Sequence, residues 1–143
     1  MAVLVLALST LACARSARDD LRDSPPDLRV FLRHDVTDVQ QERILEEIER
    51  TEETETVFFE SRQQAYERFK EWAREQELGD ELIQNVDRDS FYDAYCVYMT
   101  NGAPARRLIQ EISNFPGVLD VRQHPQGTPP PAFDSAMGTA SGC

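Results

Sequence analysis

Glu42, Glu46, Glu47 and Glu49 crowd one short stretch, with Arg43 and Arg50 among them. Grouped carboxylates do two kinds of chemistry. They bind calcium, or they work as an acid and base pair. Calcium binding calls for an Asp-x-Asp-x-Asp-Gly loop, which the sequence lacks, and acid–base work calls for a neighbour that pushes one carboxyl away from its ordinary pKa. No such neighbour is visible, so the cluster reads as the solvated face of a helix. His34, Asp35 and His124 are a second candidate. They fall near the ends of a first and a last strand, where a sheet would bring them together to take a metal, but two exposed loop histidines are the favoured reading. Tyr92, Tyr95 and Tyr98 have the look of a base-stacking platform without the basic residues it needs. There is no glycine-rich phosphate loop, no Gly-x-Ser-x-Gly and no Cys–His pairing in a suitable context. No catalytic residue, cofactor or metal site is expected.

Charge narrows the partners further. The chain has 143 residues, with 26 Asp and Glu against 15 Lys and Arg, for a net charge of -11. A phosphate backbone or an anionic membrane surface would be repelled. The three cysteines, Cys13, Cys96 and Cys143, are too few and too scattered for a disulfide framework or a zinc site. Cys96 reads as a small buried hydrophobe. A bridge from Cys96 to Cys143 is feasible only in an oxidising compartment and is not expected, because the tail that carries Cys143 reads as disordered.

Several elements must position these residues. Residues 1–14 (MAVLVLALSTLACA) form an apolar run of signal-peptide length, too short to span a bilayer comfortably. Basic residues are missing before it, so the true start is expected upstream. Ala12-Cys13-Ala14 fits ordinary signal cleavage, whereas Leu11-Ala12-Cys13 fits a lipoprotein site, which makes Cys13 a lipidation candidate. Residues 15–27 read as a linker. Leu28, Val30 and Leu32 alternate with polar or outward positions as a half-buried strand. Thr37 and Gln40 have capping-box spacing and open a helix with Ile44, Leu45 and Ile48 inward. Thr51 to Thr56 is a polar turn into a strand over 57–59. Ser61 and Gln64 form a second capping box, and Ala65, Phe69, Trp72 and Ala73 then share one helical face. Gly79 is expected to break that helix, with a short helix following over about 80–86.

Residues 91–99 are rich in aromatic and β-branched side chains and read as a strand buried on most of both faces. Pro104 opens a helix with Ala105, Leu108, Ile109 and Ile112 inward. Phe115-Pro116-Gly117 stops it, and a last strand covers 118–121. Residues 123–143 are a Pro/Gly/Ser-rich tail. Strand–helix–strand thus occurs twice. This predicts an α+β, ferredoxin-like four-stranded antiparallel sheet with two helices and an inserted small helical lobe at about 62–88. Trp72 has two readings, an interface anchor or a plug between helix and sheet.

Val30-Phe-Leu-Arg-His-Asp-Val-Thr37 with Gln40, Ser61-Arg-Gln-Gln-Ala-Tyr-Glu-Arg-Phe-Lys70, Ser90-Phe91, and Phe115-Pro-Gly-Val118 with Val121 occur here in an order that resembles the extracellular domain of FtsX, the permease-like cell-division protein. The resemblance covers 28–122. It implies a two-lobed domain at the outer face of the cytoplasmic membrane or in the envelope. Such a domain passes a signal from the ATPase FtsE to a peptidoglycan hydrolase or its activator. By position it implies that Phe69, Trp72, Leu78, Leu82 and Ile83 meet a protein partner. Two departures are expected to matter. Transmembrane helices do not follow residue 122, which suggests a free-standing relative without direct ATPase coupling, tethered at most through its N-terminus. A proline frequent before Phe91 in the family is also missing. The alternatives are an exported lipoprotein unrelated to division and a small-molecule-binding regulatory domain, since fold does not fix function.

Overall fold

The computed structural model describes residues 25–77, 80–100 and 105–124, and within these not the side chain of Leu82. The order of elements is β1 (Leu28–Leu32), α1 (Asp38–Arg50), β2 (Thr54–Glu60), α2 (Arg62–Glu75), α3 (Asp80–Asn85), a 3-10 turn (Arg88–Ser90), β3 (Ala94–Met99), α4 (Arg106–Ile112) and β4 (Val118–Gln123). The signal-like segment, most of the expected linker and the tail lie outside the described residues.

Both expected capping boxes form. Gln40 N donates to Thr37 Oγ1 at 3.3 Å while Thr37 N donates to Gln40 Oε1 at 3.0 Å. Gln64 N likewise donates to Ser61 Oγ at 3.2 Å, and Ser61 N to Gln64 Oε1 at 2.9 Å. Each box satisfies amides that a helix start would otherwise leave open. α2 stops before Gly79. Gln76 caps it, and Glu77 turns the chain out with φ of 55°. A non-glycine residue thus takes a left-handed conformation just after the helix, and Gly79, the expected breaker, lies outside the described residues.

The four strands lie in the order β2-β3-β1-β4, and every neighbouring pair is antiparallel. This is the expected ferredoxin-like α+β sheet. β1 and β3 are central, so Leu28, Val30 and Leu32 face Tyr95, Val97 and Met99 on one side, where α1 and α4 cover them with Ile44, Ile48, Leu108 and Ile112. Burying each such side chain stabilises the fold by about 1.5–3 kcal/mol. β2 starts earlier than the polar composition of 51–56 suggests, because Thr54 and Thr56 pair with Met99 and Tyr98 on the neighbouring strand. β3 starts later than expected, at Ala94, and Phe91 leaves the sheet altogether. A register shift opposite Phe31 and Leu32 leaves Leu119 as an extra, exposed residue in β4. Asp27 belongs to the folded region. Its carboxylate accepts from Met99 N at 2.7 Å, and its carbonyl from His124 N at 2.9 Å.

Gly117 makes the last turn possible. Its φ is 96°, its carbonyl accepts from Arg33 N at 2.8 Å, and a β-carbon there would stand 2.6 Å from Val36 Cγ2. Strain and overlap act together at one position. Gly117→Ala is expected to cost about 2 kcal/mol, read as a lower urea midpoint with an unchanged slope.

Candidate functional site: the helical lobe

α2, α3 and the 3-10 turn build a second hydrophobic cluster that is separate from the sheet core. Ala65, Phe69, Ala73, Ile83 and Phe91 are its buried members, with Tyr66, Trp72 and Val86 packed around them half-buried. The helical period explains the supply from α2, since positions 65, 69, 72 and 73 share one face. Phe91 completes the cluster from below. Its ring centroid lies 5.7 Å from Phe69 and 5.6 Å from Tyr66, and Phe69 lies 6.2 Å from Trp72. These are the tilted and edge-on arrangements that aromatic quadrupoles favour. Lys70 Nζ sits 4.7 Å over the Tyr66 ring and pairs with Glu67 at 2.6 Å.

Of the five residues suggested for partner contact, Phe69 and Ile83 are brought together inside this cluster, 3% and 7% exposed. Trp72 lies on its rim. Leu78 lies outside the described residues; Leu82 falls within α3, but its side chain is not described. Sequence reasoning passed over Tyr66 and gave Phe91 to a strand. Tyr66 had a legible signal, because it stands three residues before Phe69 on the same helix face. Trp72 packs in the lobe cluster and not in the core between helices and sheet.

The lobe is joined to the sheet by polar contacts. Asp93 Oδ1 accepts from Arg62 N at 2.7 Å, Arg62 Nη1 stands 3.2 Å from His34 Nδ1, and the His34 and Tyr92 rings stack at 4.5 Å. His34 is thus engaged at the junction. Antiparallel pairing of β1 with β4 puts His124 at the opposite end of the sheet, so the two histidines do not meet. Among the described residues no group of His, Cys, Asp and Glu is placed to hold a metal. Tyr95 and Tyr98 point to opposite faces of β3 and form no common platform. Glu47, Arg50, Glu53, Arg107 and Glu111 help line a polar cleft of about 330 Å³. Two ion pairs lie along it, Glu47 with Arg50 and Glu111 with Arg107.

The face of the sheet turned away from α1 and α4 carries Arg29, Phe31, Ala94, Cys96, Tyr98, Phe58 and Glu60. Glu60 is 6% exposed, and its Oε1 lies 3.3 Å from Arg68 Nη2. Burial pushes its carboxyl up to about 7, against the opposing pull of Arg68 and Arg29. Cys96 is fully buried, as expected, but it is disulfide-bonded, which was not.

Residues 26–126 match the model of the FtsX extracellular domain. This chain belongs to the FtsX extracellular domain family. The fold is similar to that of extracellular domain 1 of FtsX from S. pneumoniae, solved in complex with undecyl-maltoside. That similarity has a TM-score of 0.55 at 16% identity, over 71% of this chain and 96% of that one. No curated protein matches the chain. FtsX extracellular domains are associated with cell division. In general they are non-catalytic, regulatory and built for protein interaction, and as the outer part of a membrane protein they are exported. Among the described residues no helix is long and apolar enough to cross a membrane.

Two outcomes follow from the burial pattern. Phe69→Ala is expected to cost about 3 kcal/mol, and Trp72→Ala about half of that, because only the first opens a cavity; urea titration of both variants orders them. For Glu60 the folded pKa of about 7 lies above the ordinary 4.5. The native state keeps a proton that the unfolded chain releases, so stability is highest below pH 4.5 and falls as pH rises to about 7. The loss is about 3 kcal/mol, and Glu60→Gln should flatten the difference between urea midpoints at pH 5 and pH 8.

Proposed function

We propose that this chain is a non-enzymatic envelope domain whose helical lobe docks a protein acting on peptidoglycan, either a wall hydrolase or the activator of one. The observation that carries the reading is the lobe's own small core. Its buried side chains support Trp72 and Tyr66, which pack against the cluster only partly buried. Rigid aromatics over a packed base lose little entropy on binding and are common binding hot spots. Phe69 and Ile83 act from beneath by fixing the rim, and Leu78 and Leu82 extend the same lobe in sequence. The acidic chain carries no counter-argument, since a protein partner does not need a basic footprint. Tethering runs through the N-terminus, with Cys13 as the acylation candidate.

The test is capture from envelope extract by the full chain, wild type beside Trp72→Ala and Tyr66→Ala, with folding checked by circular dichroism. Capture of a hydrolase or its activator by the wild type, weakened roughly tenfold or more in either variant, supports the reading. Equal capture by all three, or capture of neither class, rejects the lobe as the docking site.

A further inference from the structure

Glu60 stands where the sheet becomes the lobe. It is the last residue of β2, and Ser61 after it caps α2. Its position on the reverse face is in one row with Ala94 of β3 and Phe31 of β1. Arg68, in the second turn of α2, reaches back to that row and brings Nη2 to 3.3 Å from Glu60 Oε1. The two hydrophobic clusters share no residue. Among the described residues, two sets of polar contacts cross from the lobe to the sheet. One joins Arg62 to Asp93 and His34, and the other joins Arg68 to Glu60. The first is anchored by a backbone N–H at a helix start. The second depends on whether a buried carboxyl carries its proton.

We propose that Glu60 and Arg68 form a proton-controlled latch, which fixes the lobe against the sheet when the carboxyl is ionised and lets α2 move when it is protonated. A carboxylate taken out of water must be held by a counter-ion, whereas the neutral acid has no such need. The charged and titratable groups that face Glu60 are Arg68 from α2, Arg29 from β1 and Tyr98 from β3. Tyr98 is pushed up by burial, so it brings no charge of its own near neutral pH. Of the two cations only Arg68 belongs to the lobe. Arg29 lies within the sheet, so its attraction to Glu60 ties nothing across the junction. Among the described residues, Glu60 is the only carboxylate within ion-pair distance of Arg68. Protonation therefore leaves this guanidinium to water. The change falls near neutrality, because burial outweighs both arginines and pushes the Glu60 carboxyl up to about 7. Ionisation above that point costs overall stability, yet it is the state in which the lobe is tied down. The inference does not rest on the docking reading of the lobe.

The test is solution NMR of the full chain across the neutral range. The side-chain carboxyl carbon of Glu60 is expected to titrate with a midpoint of about 7, and the amides of residues 65–69 should follow with the same midpoint. Residual dipolar couplings from β1, β3 and α2 should fit one orientation above the midpoint. Below it, those of α2 alone should shrink. In Glu60→Gln the α2 couplings should stay small at every pH. Arg68→Gln should raise the carboxyl midpoint by about one pH unit and leave the α2 couplings small, while Arg68→Lys should restore part of their pH dependence. A carboxyl that titrates near the ordinary 4.5 overturns the proposal. So do α2 couplings that do not change across the midpoint, or that change equally in Glu60→Gln.

Discussion

Asp93 holds the two halves of this domain together. Its carboxylate accepts the amide of Arg62, and its carbonyl accepts the amide of Leu32 at 2.8 Å. Arg62 is the first residue of α2, so its N–H has no acceptor inside the helix, and a negative charge at a helix start is favoured by the dipole. One residue thus fixes where the lobe helix begins relative to the central strand β1. The chain changes allegiance within four positions, for Phe91 is buried in the lobe and Ala94 in the sheet. Nothing apolar has to bridge the two cores. Polar contacts at Asp93, Arg62 and His34 set the angle, and each core is left to pack by itself.

The sheet is constrained differently. β3 has a strand on each side and is buried along its whole length. Alternation sends Tyr95, Val97 and Met99 to the helices, and it must send Ala94, Cys96 and Tyr98 to the reverse face. Glu60 pairs with Ala94, so the same rule carries a carboxyl to that face. There it keeps its charge only at a cost, even with Arg68 and Arg29 near by.

Local signals are legible in the sequence because they depend on residues a turn apart. Thr37 with Gln40 and Ser61 with Gln64 specify their helix starts without help from the fold, and Pro116-Gly117 specifies its turn. The sheet order followed from two strand–helix–strand units, which connect in few ways. The errors came from long-range partners. Phe91 looks like the start of a strand until α2 lies against it. Thr54 and Thr56 look like a turn until β3 offers them ladder bonds. The minor reading in which His34 and His124 meet fails because antiparallel pairing puts them at opposite ends of the sheet. Glu77 takes a left-handed conformation, a choice that composition does not announce. Burial of Glu60 and the bond at Cys96 depend on residues distant in the chain, which no window of neighbouring residues contains. For the lobe, helical periodicity found Phe69 and Trp72 but could not say which of them would be inside.

That distinction bears on how such a domain is used. Among the described residues the lobe cluster has five buried members, and Tyr66, Trp72 and Val86 pack against it partly buried. In a single large core such residues would be driven inward, because every added contact is rewarded by burial. Here the polar junction at Asp93 keeps the lobe from merging with the sheet, and its aromatic rim stays at the surface over a packed floor. Change at the rim therefore touches few stabilising contacts, while the sheet that carries the lobe has its own core. Surface identity can vary in such an arrangement without placing the fold at risk.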